Sequence, residues 1–467
     1  MILPPGVARC GTDRMPEQSP TKESTLTTFS AEASAALGGP DWLVRRRAEA
    51  WDRFVSRPMP TEAEEVWRYS GIDAFDLERY GPDLGPAADF DVATSDPAAA
   101  RAVADRLGAR SALVVTRNGG VVHVDAAGLP EDTVIVTRGP KADEEPIECL
   151  GALGTVHDAF GELHDAFLPD VVVIASAPKA VLERPVVVVH LVDASTPTGQ
   201  GGLAVFPHLV VRAGTSSEAG VIEVLASIGE EPGPALVVPV VELDVGDDAR
   251  LSYANVQFLG SECVHLGTQA SRVGRDATLR SFTAGFGAVY DRVRTDSDLV
   301  GSGGRSVLHA AYLGTARQVH DFRTLQDHHA PRTQSELLFE GAIADDARSV
   351  YSGLIRIRNG ARGSDAFQTN HNLVLSEGAH ADSVPNLDIE ENDVRCSHAS
   401  TVGPVDEEQL YYLESRGIAP AVAERLIVLG FFSAMAERAP FAGAGRLVEQ
   451  TVAERLADRI GAKGGNG

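Results

Sequence analysis

From about Asp170 onward the chain repeats one phrase: small or acidic residues, then alanine or a similar residue, then a strand-like run. Its instances are Gly246-Asp247-Asp248-Ala249-Arg250-Leu251, Gly274-Arg275-Asp276-Ala277-Thr278-Leu279, Asp345-Asp346-Ala347-Arg348-Ser349-Val350 and Glu377-Gly378-Ala379-His380. Gly and Asp accept the backbone of tight turns, and β-branched residues fit a pleated surface, so each phrase reads as a turn feeding a strand. Val171–Ala175, Pro185–Leu191, His208–Val211 and Gly220–Ser227 are further runs of this kind, separated by Gly, Pro, Ser and Thr. The phrases recur irregularly, about 30 to 70 residues apart. Reuse of one turn type nonetheless favours stacked coils over a single closed sheet. The expected core is a parallel β-helix over residues 169–403, with a β-sandwich as the competing architecture.

The flanks follow a different grammar. Residues 1–25 are rich in Pro, Ser, Thr and Gly without periodicity and read as a disordered leader, within which Met15 offers an alternative start. Over 26–168 a mixed, partly helical domain is expected. Ser30–Arg57 has helical spacing broken at Gly38-Gly39-Pro40, a short helix follows over Glu62–Tyr69, and helix Pro97–Leu107 leads to strands Ser111–Thr116, Val121–Val124 and Thr133–Val136. After Gly403-Pro404 the helical period returns through 404–467. A helix over Asp406–Ser415 ends near Gly417, a second opens at Pro420, and a third spans Gly445–Ile460. These helices are expected to cap the last coil, because an uncovered sheet edge invites pairing. The apolar run Ile427, Leu429, Phe431 and Phe432 offers the alternative of a docking face.

Charge narrows the partners. With 41 Lys+Arg against 66 Asp+Glu the net charge is −25, and lysine occurs only at Lys22, Lys141, Lys179 and Lys463. No cationic cluster is available to displace counterions from nucleic acid. There is no run of 18 apolar residues and no apolar core to a secretory signal near the start, so no membrane partner and a cytoplasmic location are expected. Cys10, Cys149, Cys263 and Cys396 form no CxxC pair, which fits a reducing compartment.

Nucleotide hydrolysis through a phosphate loop is excluded, because no lysine is followed by Ser or Thr. Gly301-Ser302-Gly303-Gly304 resembles such a loop in composition alone and lies between strands, so it reads as a turn. HExxH and GxSxG are absent. Thiol and imidazole meet once, in Asp393-Val394-Arg395-Cys396-Ser397-His398. On a strand, Cys396 and His398 would share a face with α-carbons about 6.6 Å apart, a soft site suited to iron or sulfur. A buried cysteine beside a hydrogen-bonded histidine is the structural alternative. His328, His329, His371 and His380 are further candidates in this half, each alone reading as structural, and Asp388, Glu390 and Glu391 read as a solvated face.

These residues bring a family into view. Asp388-Ile389-Glu390 through Cys396-Ser397-His398, Thr401-Val402-Gly403, Asp406–Leu413 and Ser415–Ile418 resemble the SufB/SufD family of iron-sulfur cluster assembly proteins. The resemblance extends upstream through Gln368–Ser376, Gly353-Leu354-Ile355 and Asp327-His328, and more weakly to Trp67-Arg68-Tyr69. It implies a right-handed parallel β-helix between helical ends. Where the SufB branch carries a cysteine six residues before the proline aligned with Pro385, and an acidic residue after the aligned histidine, this chain has Ala379 and Ala399. The Cys-Ser-His phrase is that of the SufD branch.

The resemblance implies a non-catalytic scaffold subunit. His398 would contribute to a transient iron-sulfur cluster shared with a SufB-like subunit, with Cys396 a nearby thiol. The C-terminal hairpin, including Asp406, Glu407, Leu410, Tyr411, Leu426, Leu429 and Phe431, would dock the ATPase SufC, and a sulfur-donor system would serve the complex. One imidazole and one thiol cannot hold a cluster that takes four protein ligands, so a second chain must complete the site. Homodimerisation stays open, and no motif decides on a flavin. The competing readings are a SufB-like paralogue and a β-helical enzyme acting on acidic polysaccharide, the latter disfavoured by the chain's own negative charge.

Overall fold

The computed structural model describes residues 26–84, 98–137, 149–195, 201–229 and 232–464. The expected leader, 1–25, therefore lies outside the described residues. Two sheets of 12 and 10 strands face each other, and successive strands of the core alternate between them. The first carries, among others, His208–Ala213, Val240–Val245, Cys263–Val273, Tyr290–Leu299, Val319–His328, Arg348–Ile357 and His380–Ile389. The second carries Val186–Val192, Glu218–Ser227, Arg250–Phe258, Thr278–Gly285, Arg305–Gly314, Gln334–Ile343, Asp365–Val374 and Arg395–Gly403. Neighbouring strands within the coils are parallel, which removes the sandwich alternative. The fold is mainly β, a solenoid of about seven turns with helices at both ends.

The register gives the coil length. Arg250 pairs with Thr278, Thr278 with Arg305, Arg305 with Gln334, Gln334 with Asp365 and Asp365 with Arg395, a step of about 27–31 residues. The irregular interval in the sequence arises because two separate columns of turns share one grammar. The phrases at Gly246 and Gly274 precede second-sheet strands, whereas those at Asp345 and Glu377 precede first-sheet strands. Members of the first column take positive φ at Asp248, Asp276, Gly303, Arg332 and Gly363. The Asp248 amide donates to Arg275 O, that of Asp276 to Ser302 O, that of Gly303 to Pro331 O and that of Arg332 to Arg362 O. Gly301–Gly304 is thus one rung of this column, the turn its context implied. A Cβ at Gly301 would collide with the Arg275 backbone below.

Most flanking elements fall where the sequence places them. Helix Ala31–Ala36, capped by Ser30, and helix Asp41–Ser56 flank the predicted break at Gly38–Pro40. Glu62–Tyr69 is a correction: it forms a single 3-10 turn, Glu65–Trp67. Tertiary contacts hold this segment instead. The Arg292 guanidinium lies 3.8 Å from the centre of the Trp67 ring and donates to Val66 O at 2.6 Å, while Arg323 donates to Arg68 O at 2.6 Å. Asp321 pairs with both arginines. Strand Ala112–Arg117 extends the second sheet beside Val186–Val192, and the antiparallel strands Gly120–Asp125 and Thr133–Thr137 end the two sheets.

At the other end, the expected cap is absent among the described residues. Helices Glu407–Ser415, Pro420–Ala436 and Ala442–Gly464 turn back along the outside of the second sheet. Val428, Phe432, Met435, Leu447, Val448 and Val452 share one core with Val187, Val189, Ile222, Val224, Val256, Ala284 and Leu313. The reason lies in composition. Early strands such as Val186–Val192 are buried on both faces and need an outer cover, whereas the outward rows of the last coil are mostly polar or small, with His380, Asp382, Asn386, Asp388, Ser397 and Thr401.

Candidate functional site

The unfinished end is built by strands His380–Ile389 and Arg395–Gly403, each terminal in its sheet. Among the described residues each pairs with one strand below and leaves its other edge free, in a segment where most residues are half-buried or exposed. Register identifies the side chains directed into the lumen. Ala381, Ser383, Pro385, Leu387 and Ile389 stand over the buried inward row Ser349, Tyr351, Gly353, Ile355 and Ile357. On the opposite wall Cys396, His398, Ser400 and Val402 stand over Ala366, Gln368, Asn370 and Asn372. The result is a mouth at the end of the solenoid, with apolar Leu387, Ile389 and Val402 exposed at 38%, 44% and 44%.

The predicted strand for Cys396 and His398 is present, and the pair does share a face. Cys396 is half-buried against Ile355, Ile357, Ala361 and Ala366, and burial, with a smaller push from Asp365, raises its thiol pKa. It is therefore a neutral thiol until a metal or a cation arrives. His398 is exposed. A thiol and an imidazole at an open strand edge are available to a neighbouring chain and to soft metal chemistry together.

The other candidate histidines are engaged elsewhere. His328 is enclosed between Thr333 Oγ1 at 2.7 Å and Ser335 Oγ at 2.8 Å, and burial lowers its pKa to about 4. His329 lies 3.5 Å from Asp327, His371 faces Glu340 at 3.4 Å, and His380 faces Asp382 at 3.3 Å. Asp388 pairs with Arg356, while Glu390 and Glu391 accept the amides of Asn359 and Gly360 in the turn below. These acids stitch coils together.

The residues proposed from the resemblance to dock an ATPase separate into two groups. Asp406 caps helix Glu407–Ser415 through Gln409 N, Glu407 is exposed, and Tyr411 and Leu426 are exposed at 74% and 46%. Leu410, Leu429 and Phe431 are half-buried against the core beneath. No helix among the described residues is long and apolar enough to cross a membrane. Sequence reasoning gave no role to Gln368, which opens the matched run Gln368–Ser376, or to Ser383; both line the mouth, where coil register alone places them.

Thiol and imidazole thus share the lumen-facing row of the terminal coil of a parallel solenoid. Residues 196–431 match the family model described as SUF system FeS cluster assembly, SufBD core domain, and the chain belongs to that family. It is 39% identical over 266 residues to an iron-sulfur cluster assembly SufBD family protein of Mycobacterium bovis, covering 55% of this chain and 65% of that one. It is 31% identical over 242 residues to the iron-sulfur cluster assembly protein SufD of Bacillus subtilis, covering 51% and 55%. Against SufD of Escherichia coli it is 29% identical over 218 residues, covering 47% and 51%. The matches thus span between half and two thirds of these relatives.

Proposed function

We propose that this chain is the SufD-like, non-catalytic subunit of an iron-sulfur assembly scaffold in the cytoplasm. It pairs through its bare coil with a SufB-like subunit and carries the ATPase SufC on its C-terminal helices. The nascent cluster is cargo, supplied with sulfur by a separate donor system. One observation carries the reading: Cys396 and His398 occupy the lumen-facing row of a terminal strand that is paired, among the described residues, on one side only, where a second chain can reach both. Free edge strands of two solenoids can join by main-chain hydrogen bonds, and the joined mouths would bring further ligands to the single imidazole and thiol. Unpaired Cys149, Cys263 and Cys396 fit a reducing compartment. The exposed side chains Tyr411 and Leu426 are the better part of the ATPase contact, since Leu429 and Phe431 are engaged in the core.

The test is anaerobic co-expression with SufB-like and SufC-like partners, read as visible absorbance and as co-purification. His398→Ala is expected to lower cluster absorbance at least severalfold while the complex still assembles. Leu426→Asp is expected to weaken retention of the ATPase while the chain folds normally. Full absorbance in H398A removes that imidazole from the site, and full retention in L426D removes the exposed helical face.

A further inference from the structure

Beneath His398, one rung into the solenoid, stands Gln368, its partner in register. It is 1% exposed. Its amide reaches across the lumen: Oε1 accepts the Tyr351 hydroxyl at 3.2 Å, and Nε2 donates to the main-chain oxygen of Asn386 at 3.3 Å. Tyr351 belongs to the opposite sheet, where its hydroxyl also meets Thr324 Oγ1 at 3.2 Å. Asn386 lies on the terminal strand of that sheet, His380–Ile389. One side chain therefore ties the bare strand of one wall to the strand that supports the other. Space for this crossing is left by Gly353, where a Cβ would stand 2.2 Å from Tyr351 Oη and 2.5 Å from Gln368 Oε1.

The chemistry of the bridge calls for an amide. It must accept from a hydroxyl and donate to a carbonyl at once, which an ionised carboxylate cannot do and an alkyl chain cannot begin to do. Among the described residues strand His380–Ile389 has a neighbour on one side only, so a hydrogen bond to its main chain from across the lumen restrains a segment that is otherwise held along one edge.

We propose that Gln368 is a positioning residue of the mouth. By holding Asn386 it fixes the separation of the two terminal strands, and with it the place of the His398 imidazole relative to the facing wall. Its consequence for cluster assembly rests on the proposed role of His398; the bridge itself is tested on the full chain without any cluster.

The experiment compares amide hydrogen exchange in residues 384–389 with that in 305–314 for the wild type, Gln368→Leu and Gln368→Glu. Loss of one hydrogen bond in Q368L is expected to lower protection at 384–389 about tenfold, with 305–314 unchanged. In Q368E the buried carboxyl titrates above its ordinary range, and its protonated form offers a donor and an acceptor as the amide does. Protection relative to wild type at the same pH should therefore return on the acid side of that titration and vanish on the other. The His398 Cε1–H resonance should shift in Q368L and return toward its wild-type position in acidic Q368E. Wild-type protection in Q368L, or a Q368E response that does not depend on pH, overturns the bridge. In the assembled complex Q368L should lower cluster absorbance severalfold. Full absorbance in Q368L with loss in H398A overturns the positioning role, whereas full absorbance in both overturns the reading of His398 instead.

Discussion

The early and late coils of the solenoid are built on one backbone plan and filled with different mixtures, the early lumen adding to its aliphatic side chains one enclosed network of Glu223 with His190, Tyr253 and Asn255. In the early coils the lumen is largely aliphatic, with Val188, Val211, Val221, Leu243, Leu251 and Leu279 in one cluster. In the late coils the corresponding space holds a hydrogen-bonded polar stack. Asp291 lies between His265 at 2.6 Å and His320 at 3.0 Å, and although burial alone would raise its pKa, the two imidazoles hold it well below the usual carboxylate range. Tyr312 donates to Asn372 Oδ1 at 2.7 Å and accepts from Ser349 at 3.1 Å. Apolar burial stabilises without fixing geometry closely, whereas hydrogen-bonded polar side chains in a low-dielectric interior have few alternative arrangements. The polar half is the half that ends in the mouth, where the proposed site lies.

This division can be broken by substitution. Leu243→Ala, at a fully buried early position, should cost about 3 kcal/mol through lost transfer energy and a residual cavity. Denaturant unfolding checks it, and a loss under about 1 kcal/mol would show that the aliphatic half does not dominate stability. A comparable effect in the polar half depends on pH. His328 has a folded-state pKa of about 4, below its unfolded value near 6.5. The unfolded chain therefore gains a proton first as pH falls. Stability contributed by the neutral imidazole is present above about 6.5 and declines by about 3 kcal/mol as pH drops through that value toward 4. His328→Gln should flatten that acid limb in a pH series of unfolding midpoints; an unchanged slope assigns it to other groups. The smallest effect has the opposite sign. Both amide ends of Gln326 are buried without a hydrogen-bond partner among the described residues, so Gln326→Leu should raise stability by about 1 kcal/mol. A loss instead would reveal water as the missing partner.

The strands were legible because β-branched runs and Gly/Asp turns are local signals. The coil period was not. Two turn columns use the same residues, and rungs such as Arg332 hold the same left-handed turn without sharing the phrase, because stacking on neighbouring turns imposes the backbone. The helical cover over the second sheet was written in Val186–Leu191, a run apolar at both alternating positions except for His190, but a helical tail looks alike whether it caps an end or flanks a face. Trp67 was visible as part of a matched segment, and its surroundings were invisible because Arg292 and Arg323 are more than 200 residues away. At the mouth, Cys396 and His398 could be paired from strand alternation alone. Gln368 could not be placed beneath them without the coil register.

The two extremities of the solenoid differ, and the difference limits how copies or relatives can add. One finishes in short reversed strands, Gly120–Asp125 and Thr133–Thr137; the other leaves full-length forward strands open. A tail meeting a head would face strands of the wrong length and direction, so end-on growth into a fibre is frustrated at its first step. Were two such tails to join, both open ends would be consumed at once, and neither chain would offer an open strand to a third.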